Sequence, residues 1–157
     1  MRVHSVTVCP DRVDVVVKVE DAAEMRTSLD AEIADRALRV LPGLADHQCS
    51  TRSDRTFGEE LSDTEVPHLF EHVVLELMAE AGSPRNLKGE TAWDFRHAGD
   101  GVFRVSVEYD DDLVCLGAIK TADKLMCYLL GEGEAPDVEA ATEQLVSLRG
   151  WPANRPA

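Results

Sequence analysis

The sequence predicts an α+β fold, with a mostly antiparallel sheet and helices packed on one face. Three observations lead there. Two valine-rich runs near the start flank Pro10-Asp11. Longer stretches with apolar residues at helical spacing occupy the middle and the end. One more alternating segment, residues 102–109, lies between the helical stretches.

The elements follow in order. Val3, Val6 and Val8, then Val13, Val15, Val16, Val17 and Val19, are β-branched runs on either side of a turn, and they predict a β-hairpin. Residues 30–41 carry Ile33, Ala34, Ala37, Leu38 and Leu41 at helical spacing, and Pro42-Gly43 ends that helix. Residues 44–58 are polar and aperiodic, a long loop of the kind that often carries function. A second helix is expected from near Thr64, capped by Asp63 or Thr64. Pro67 is tolerated in its first turn, and Val66, Leu69, Phe70, Val73, Val74, Leu77 and Met78 form its core stripe. Gly82-Ser83-Pro84 stops it. Residues 83–101 read as a second polar stretch with room for one extra strand. A strand follows over 102–109. Then comes a helix over about 112–130, capped within Asp110-Asp111-Asp112, and a last helix over about 136–148. The organisation expected is one domain over residues 1–150 and a frayed tail over 151–157.

Composition narrows the function. Sixteen Lys+Arg against 30 Asp+Glu give a net charge of −14, which repels phosphate backbones and anionic lipid. Nucleic acid and membrane are therefore not expected partners. No stretch approaches the apolar length of a membrane span, and the start lacks the apolar core of a signal peptide. The four cysteines, Cys9, Cys49, Cys115 and Cys127, have no CxxC spacing, so reduced thiols in a cytoplasmic protein are expected. Nothing in the chain specifies an oligomeric state.

The most informative residues are His68-Leu69-Phe70-Glu71-His72, an H-x-x-E-H sequence within the best helix. His68 and His72, one turn apart, can grip one Zn²⁺ from the same face. Glu71 is placed to act as general base on a metal-bound water, the arrangement of inverzincin peptidases. The bland reading is a polar helix face whose histidines happen to fall four apart. A third ligand is open among His47, Cys49 and Glu108, whose plain readings are a loop histidine, a buried thiol and a capping carboxylate. Glu76, a further turn along the helix, suits a partner behind the ligands. Ser50 and Arg85 are candidate substrate contacts, against ordinary readings as a loop serine and a surface cation.

These blocks together resemble the N-terminal domain of cyanophycin synthetase. The shared segments run in order: Leu41-Pro42-Gly43-Leu44 with His47-x-Cys49-Ser50, then His68-Leu69-x-Glu71-His72-Val73-x-Leu75-Glu76-Leu77 with Ala81-Gly82, then Gly101-Val102-Phe103-x-Val105 into Glu108-Tyr109. In the synthetase this domain precedes ATP-dependent ligase modules that polymerise aspartate and arginine, and neither module fits in 157 residues. The resemblance implies a free-standing relative of that domain, with His68, His72 and Cys49 as zinc ligands and Glu71 as base. It departs in residues 83–91 and 51–56, where the family's Gly- and Arg-containing segments are replaced.

Two functional classes follow. The leading expectation is a zinc-dependent hydrolase that cuts a peptide or isopeptide-type amide, with an arginine-bearing polymer as substrate. The alternative is a non-catalytic module that binds the polymer or a protein, or an accessory subunit of a separate ligase, with a vestigial metal site.

Overall fold

The computed structural model describes residues 1–49 and 52–150, with the backbone alone at residues 52 and 53. The expected hairpin is present as β1 (Arg2–Val8) and β2 (Arg12–Lys18), closed by a bond from Cys9 N–H to the Arg12 carbonyl at 2.8 Å. Helix α1 spans Glu32–Val40, and a 3-10 turn over Pro42–Asp46 follows it. A small hairpin, β3 (Gln48–Cys49) and β4 (Arg52–Thr56), leads into the short α2 (Phe57–Glu60) and the long α3 (Val66–Glu80). Next come β5 (Gly89–Trp93), the short α4 (Phe95–Ala98), β6 (Val102–Glu108), α5 (Asp112–Leu129) and α6 (Val138–Leu148).

The main sheet is antiparallel throughout, in the order β1-β2-β6-β5. Strand alternation separates its faces. Val13, Val15 and Val17 of β2 and Phe103, Val105 and Val107 of β6 are buried on the inner face, where α3 and α5 pack. Asp14, Lys18, Arg104, Ser106 and Glu108 stand on the other face, where Ser106 and Arg12 hydrogen-bond to Asp14. Helices on one face of an antiparallel sheet are the α+β arrangement predicted above.

Helix α3 is the centre of the molecule. It touches β5 and β6 on one side and α5 on another, so its buried residues extend almost all round: Leu69, Phe70, Val73, Val74, Leu77 and Met78, but also Glu71, His72 and Glu76. Burial of three polar side chains in a central helix demands partners for each.

Several local expectations are corrected. Helix α3 begins at Val66, and neither Asp63 nor Thr64 caps it. Asp63 is held by the distant Arg26 and Ser28, and Thr64 Oγ1 turns to the ring of His68 four residues on, so both side chains are engaged away from the helix end. The loop expected over 44–58 is largely structured. Thr56 and Glu59 form a reciprocal capping box that starts α2. The polar stretch 83–101 contains β5 and α4; Asp94 N–H and the Val102 carbonyl join the ends of that hairpin at 3.0 Å. The cap expected within Asp110-Asp111-Asp112 is present: Asp111 caps α5, accepting from the N–H groups of Leu113 and Val114. The tail expected to fray lies outside the described residues. No described helix is long and apolar enough to cross a membrane.

Candidate metal centre

Cys49, His68 and His72 converge. Cys49 arrives on β3, and the two histidines arrive from successive turns of α3. The Nε2 atoms of His68 and His72 lie 3.1 Å apart, and Cys49 Sγ lies 3.6 Å and 3.4 Å from them. A tetrahedral Zn²⁺ with Zn–N of about 2.0 Å and Zn–S of about 2.3 Å sets N···N near about 3.3 Å and N···S near about 3.5 Å. The triangle of donors therefore has the size that zinc requires. Glu60 adds a second sign of fit. Its Oε2 accepts from Cys49 Sγ at 3.4 Å, while its Oε1 is buried with no hydrogen-bond partner among the described residues. A cation at this place answers that orphaned charge.

The ring orientations are set from behind. His47 Nε2 contacts Glu76 Oε2 at 2.5 Å, and its Nδ1 lies 3.0 Å from His72 Nδ1. His72 presents a bare Nε2 to the cluster when its Nδ1–H donates to His47 Nδ1, with His47 Nε2 turned to the Glu76 carboxylate. Thr64 Oγ1 at 2.8 Å from His68 Nδ1 orients the second ring the same way. Phe57 stacks on His72 with centroids 3.8 Å apart and meets His68 edge-on.

Electrostatics keep the donors ready. Burial drives the His72 pKa down to about 2, helped by the neighbouring His68 and His47, so the ring is neutral. Burial also lowers His68, against the opposing charges of Glu60 and Glu65. For Glu76 burial pushes the carboxyl up, but hydrogen bonds and charge from His47 and Arg85 win and hold it at about 2. Glu71 behaves oppositely. Burial raises it to about 7, even though Thr91 Oγ1 donates to its Oε2 at 2.5 Å.

Two glycines make room for these carboxylates. A Cβ at Gly43 would collide with the carboxylate of Glu76, and one at Gly89 would lie 2.5 Å from Glu71 Cγ. The Leu-Pro-Gly-Leu block thus has a physical role: its glycine lets Glu76 reach His47.

The structure gathers His68, His72, Cys49, His47, Glu71 and Glu76 in one place. Glu108 is elsewhere, at the end of β6, accepting from Lys88 N–H at 2.9 Å. Arg85 is paired with Glu76 and Glu80 rather than left open for a ligand. Ser50 lies outside the described residues. The sequence reading gave no role at the site to Glu60, Thr64, Thr91, Phe57 or the two glycines. Of these only the Thr56-Phe57-Gly58-Glu59 capping box had a local signature.

A cavity of about 340 Å³ opens beside the cluster, with Cys49, Glu71 and His72 at its floor and Asp46, Arg85 and Lys88 in its wall. The floor residues are only 5%, 3% and 2% exposed respectively.

The chain is similar to two curated proteins named cyanophycin synthetase. It is 32% identical to that of Geminocystis herdmanii over 92 residues, 58% of this chain and 10% of the relative. It is 28% identical to that of Crocosphaera subtropica over 137 residues, 87% of this chain and 15% of the relative. The chain thus spans a small fraction of these proteins' length. Both names denote synthesis, and this overturns the expectation of a zinc-dependent hydrolase. The family behind the correction is visible over most of the chain: residues 14–130 match the family described as the cyanophycin synthase-like N-terminal domain, and the chain belongs to it.

Proposed function

We propose that this domain is a non-catalytic binding module, accessory to a ligase, that holds a cyanophycin-like polymer of aspartate and arginine. The observation that carries the reading is the cavity beside the metal cluster, whose wall presents carboxylates and cations together. Asp46 complements guanidinium groups, and Lys88 complements carboxylates. The surrounding charge of −14 favours a cationic side chain over an anionic one.

In this reading Cys49, His68 and His72 hold Zn²⁺, and the ion acts as a clasp. It ties the β3–β4 hairpin, which borders the cavity, to the central helix. Bound zinc supplies a cation that fixes the three side chains and neutralises the thiolate and Glu60. Glu76 and His47 keep His72 in its ligating form.

The test is co-sedimentation of purified protein with insoluble Asp/Arg polymer, paired with metal analysis. The expected result is about one Zn²⁺ per chain, retention on the polymer, and an intact polymer after prolonged incubation. Failure to sediment with the polymer at low salt would overturn the reading. Chelation is expected to lower the melting temperature, with retention partly preserved at a temperature where the fold persists.

A further inference from the structure

The strand β5 is an edge of the main sheet, and its first residue, Gly89, lines the cavity. In an antiparallel pair, alternate residues exchange both backbone hydrogen bonds with the partner strand, and those between point theirs away. Glu108 N–H bonds to the Lys88 carbonyl at 2.9 Å and Asp94 N–H to the Val102 carbonyl at 3.0 Å. Given the register Gly89↔Val107 through Trp93↔Phe103, the bonded positions are 88, 90, 92 and 94. The N–H and C=O groups of Gly89, Thr91 and Trp93 therefore face outward, and none takes a partner among the described residues. Three outward donor–acceptor pairs at every second residue form a template for one more strand.

The side chains along this ledge differ from end to end. At one end Trp93 is 58% exposed, stacks on Phe95 with centroids 4.5 Å apart, and donates its Nε1–H to Glu65 Oε1 at 2.7 Å. An exposed indole fixed against a carboxylate is a place for a guanidinium. At the other end Lys88 and Arg85 line the cavity beside Gly89. In the middle, Thr91 sits over Glu71.

We infer that β5 accepts an extended polypeptide as a fifth strand of the sheet, with a cationic side chain of that strand on Trp93 and Glu65 and a carboxylate at the Lys88 end. This rests on the polymer-binding reading and names where and how the chain lies. The opposite edge, β1, has a cavity with carboxylates beside Arg2 but, among the described residues, no exposed aromatic ring there.

Backbone amide hydrogen exchange of the full chain, with and without soluble Asp/Arg oligomer, tests it. Binding is expected to slow exchange at Gly89, Thr91 and Trp93 at least about tenfold, with Glu90, Ala92 and the β1 amides little changed. Trp93→Phe and Trp93→Ala separate stacking from folding: the alanine variant is expected to bind roughly fivefold more weakly, and the phenylalanine variant to recover part of that. Binding without protection at the three outward amides would overturn the ledge while leaving polymer binding intact. No binding at all would overturn both. Protection that rises with protein concentration in the absence of oligomer would mean that a second copy takes the edge, and would overturn the assignment to a polymer.

Discussion

At the scale of single residues, hydrogen-bond and charge partners decide how the two buried carboxyls of this site ionise. Glu71 and Glu76 lie on the same helix and both are almost fully buried, yet they titrate in opposite directions. Glu76 meets His47 and Arg85, whose hydrogen bonds and charges favour its ionised form. Glu71 meets one hydroxyl, which is too little to offset desolvation. The stability consequence for Glu71 follows from linkage. Its folded pKa of about 7 lies above the ordinary 4.5, so its contribution is full below about pH 4.5 and is lost as pH rises through about 7. Chelator-treated wild type is therefore expected to lose about 3 kcal/mol between pH 4.5 and pH 8 relative to Glu71→Gln, which stays neutral. Urea unfolding at both pH values checks this, and parallel pH profiles of the two proteins would refute it.

Among the elements, the short ones do the positioning. The 3-10 turn over Pro42–Asp46 places Gly43 against Glu76 and delivers His47 to His72. Gly43→Ala is expected to push Glu76 aside and loosen the His47–His72 contact. Zinc affinity should then fall about 10- to 100-fold, while the fold persists. Competition with a chromogenic chelator measures it, and unchanged affinity would separate the turn from the metal centre. The capping box at Thr56 and Glu59 was readable in the sequence, and it starts the helix that carries Glu60. Strand β5 was much harder to read. Gly89-Glu90-Thr91-Ala92-Trp93 has no run of β-branched residues, and it becomes a strand because β6 offers it a bonded partner.

At the scale of the whole molecule, charge now has a place as well as a size. The net −14 repels polyanions but selects no partner by itself, since many acids cap helices or sit in ion pairs with Arg12, Arg26, Arg36 and Arg149. What distinguishes the cavity side is a mixed lining. Polymer retention is expected to weaken several-fold between low salt and about 0.5 M salt, as surface charges are screened. Retention indifferent to salt would mean that the contact is apolar, contrary to the lining seen here.

The sequence alone determined the α+β class, because a period of two in the valine runs and a period near 3.6 in the helices are local signals that burial on one face imposes. It also determined the His68–Glu71–His72 spacing and, through linked blocks, the family. The resemblance offered Cys49, and the tertiary structure decided which distant residues meet the histidines. Cys49, Glu60, His47 and Thr91 are separated from the histidines by loops or strands, and no periodicity encodes which of them meet. It also decided that Glu108 does not join them. Long-range convergence is set by how α3 fits between the sheet, α5 and the turn at Gly43, and that depends on the packing of the whole core rather than on any one segment's preference.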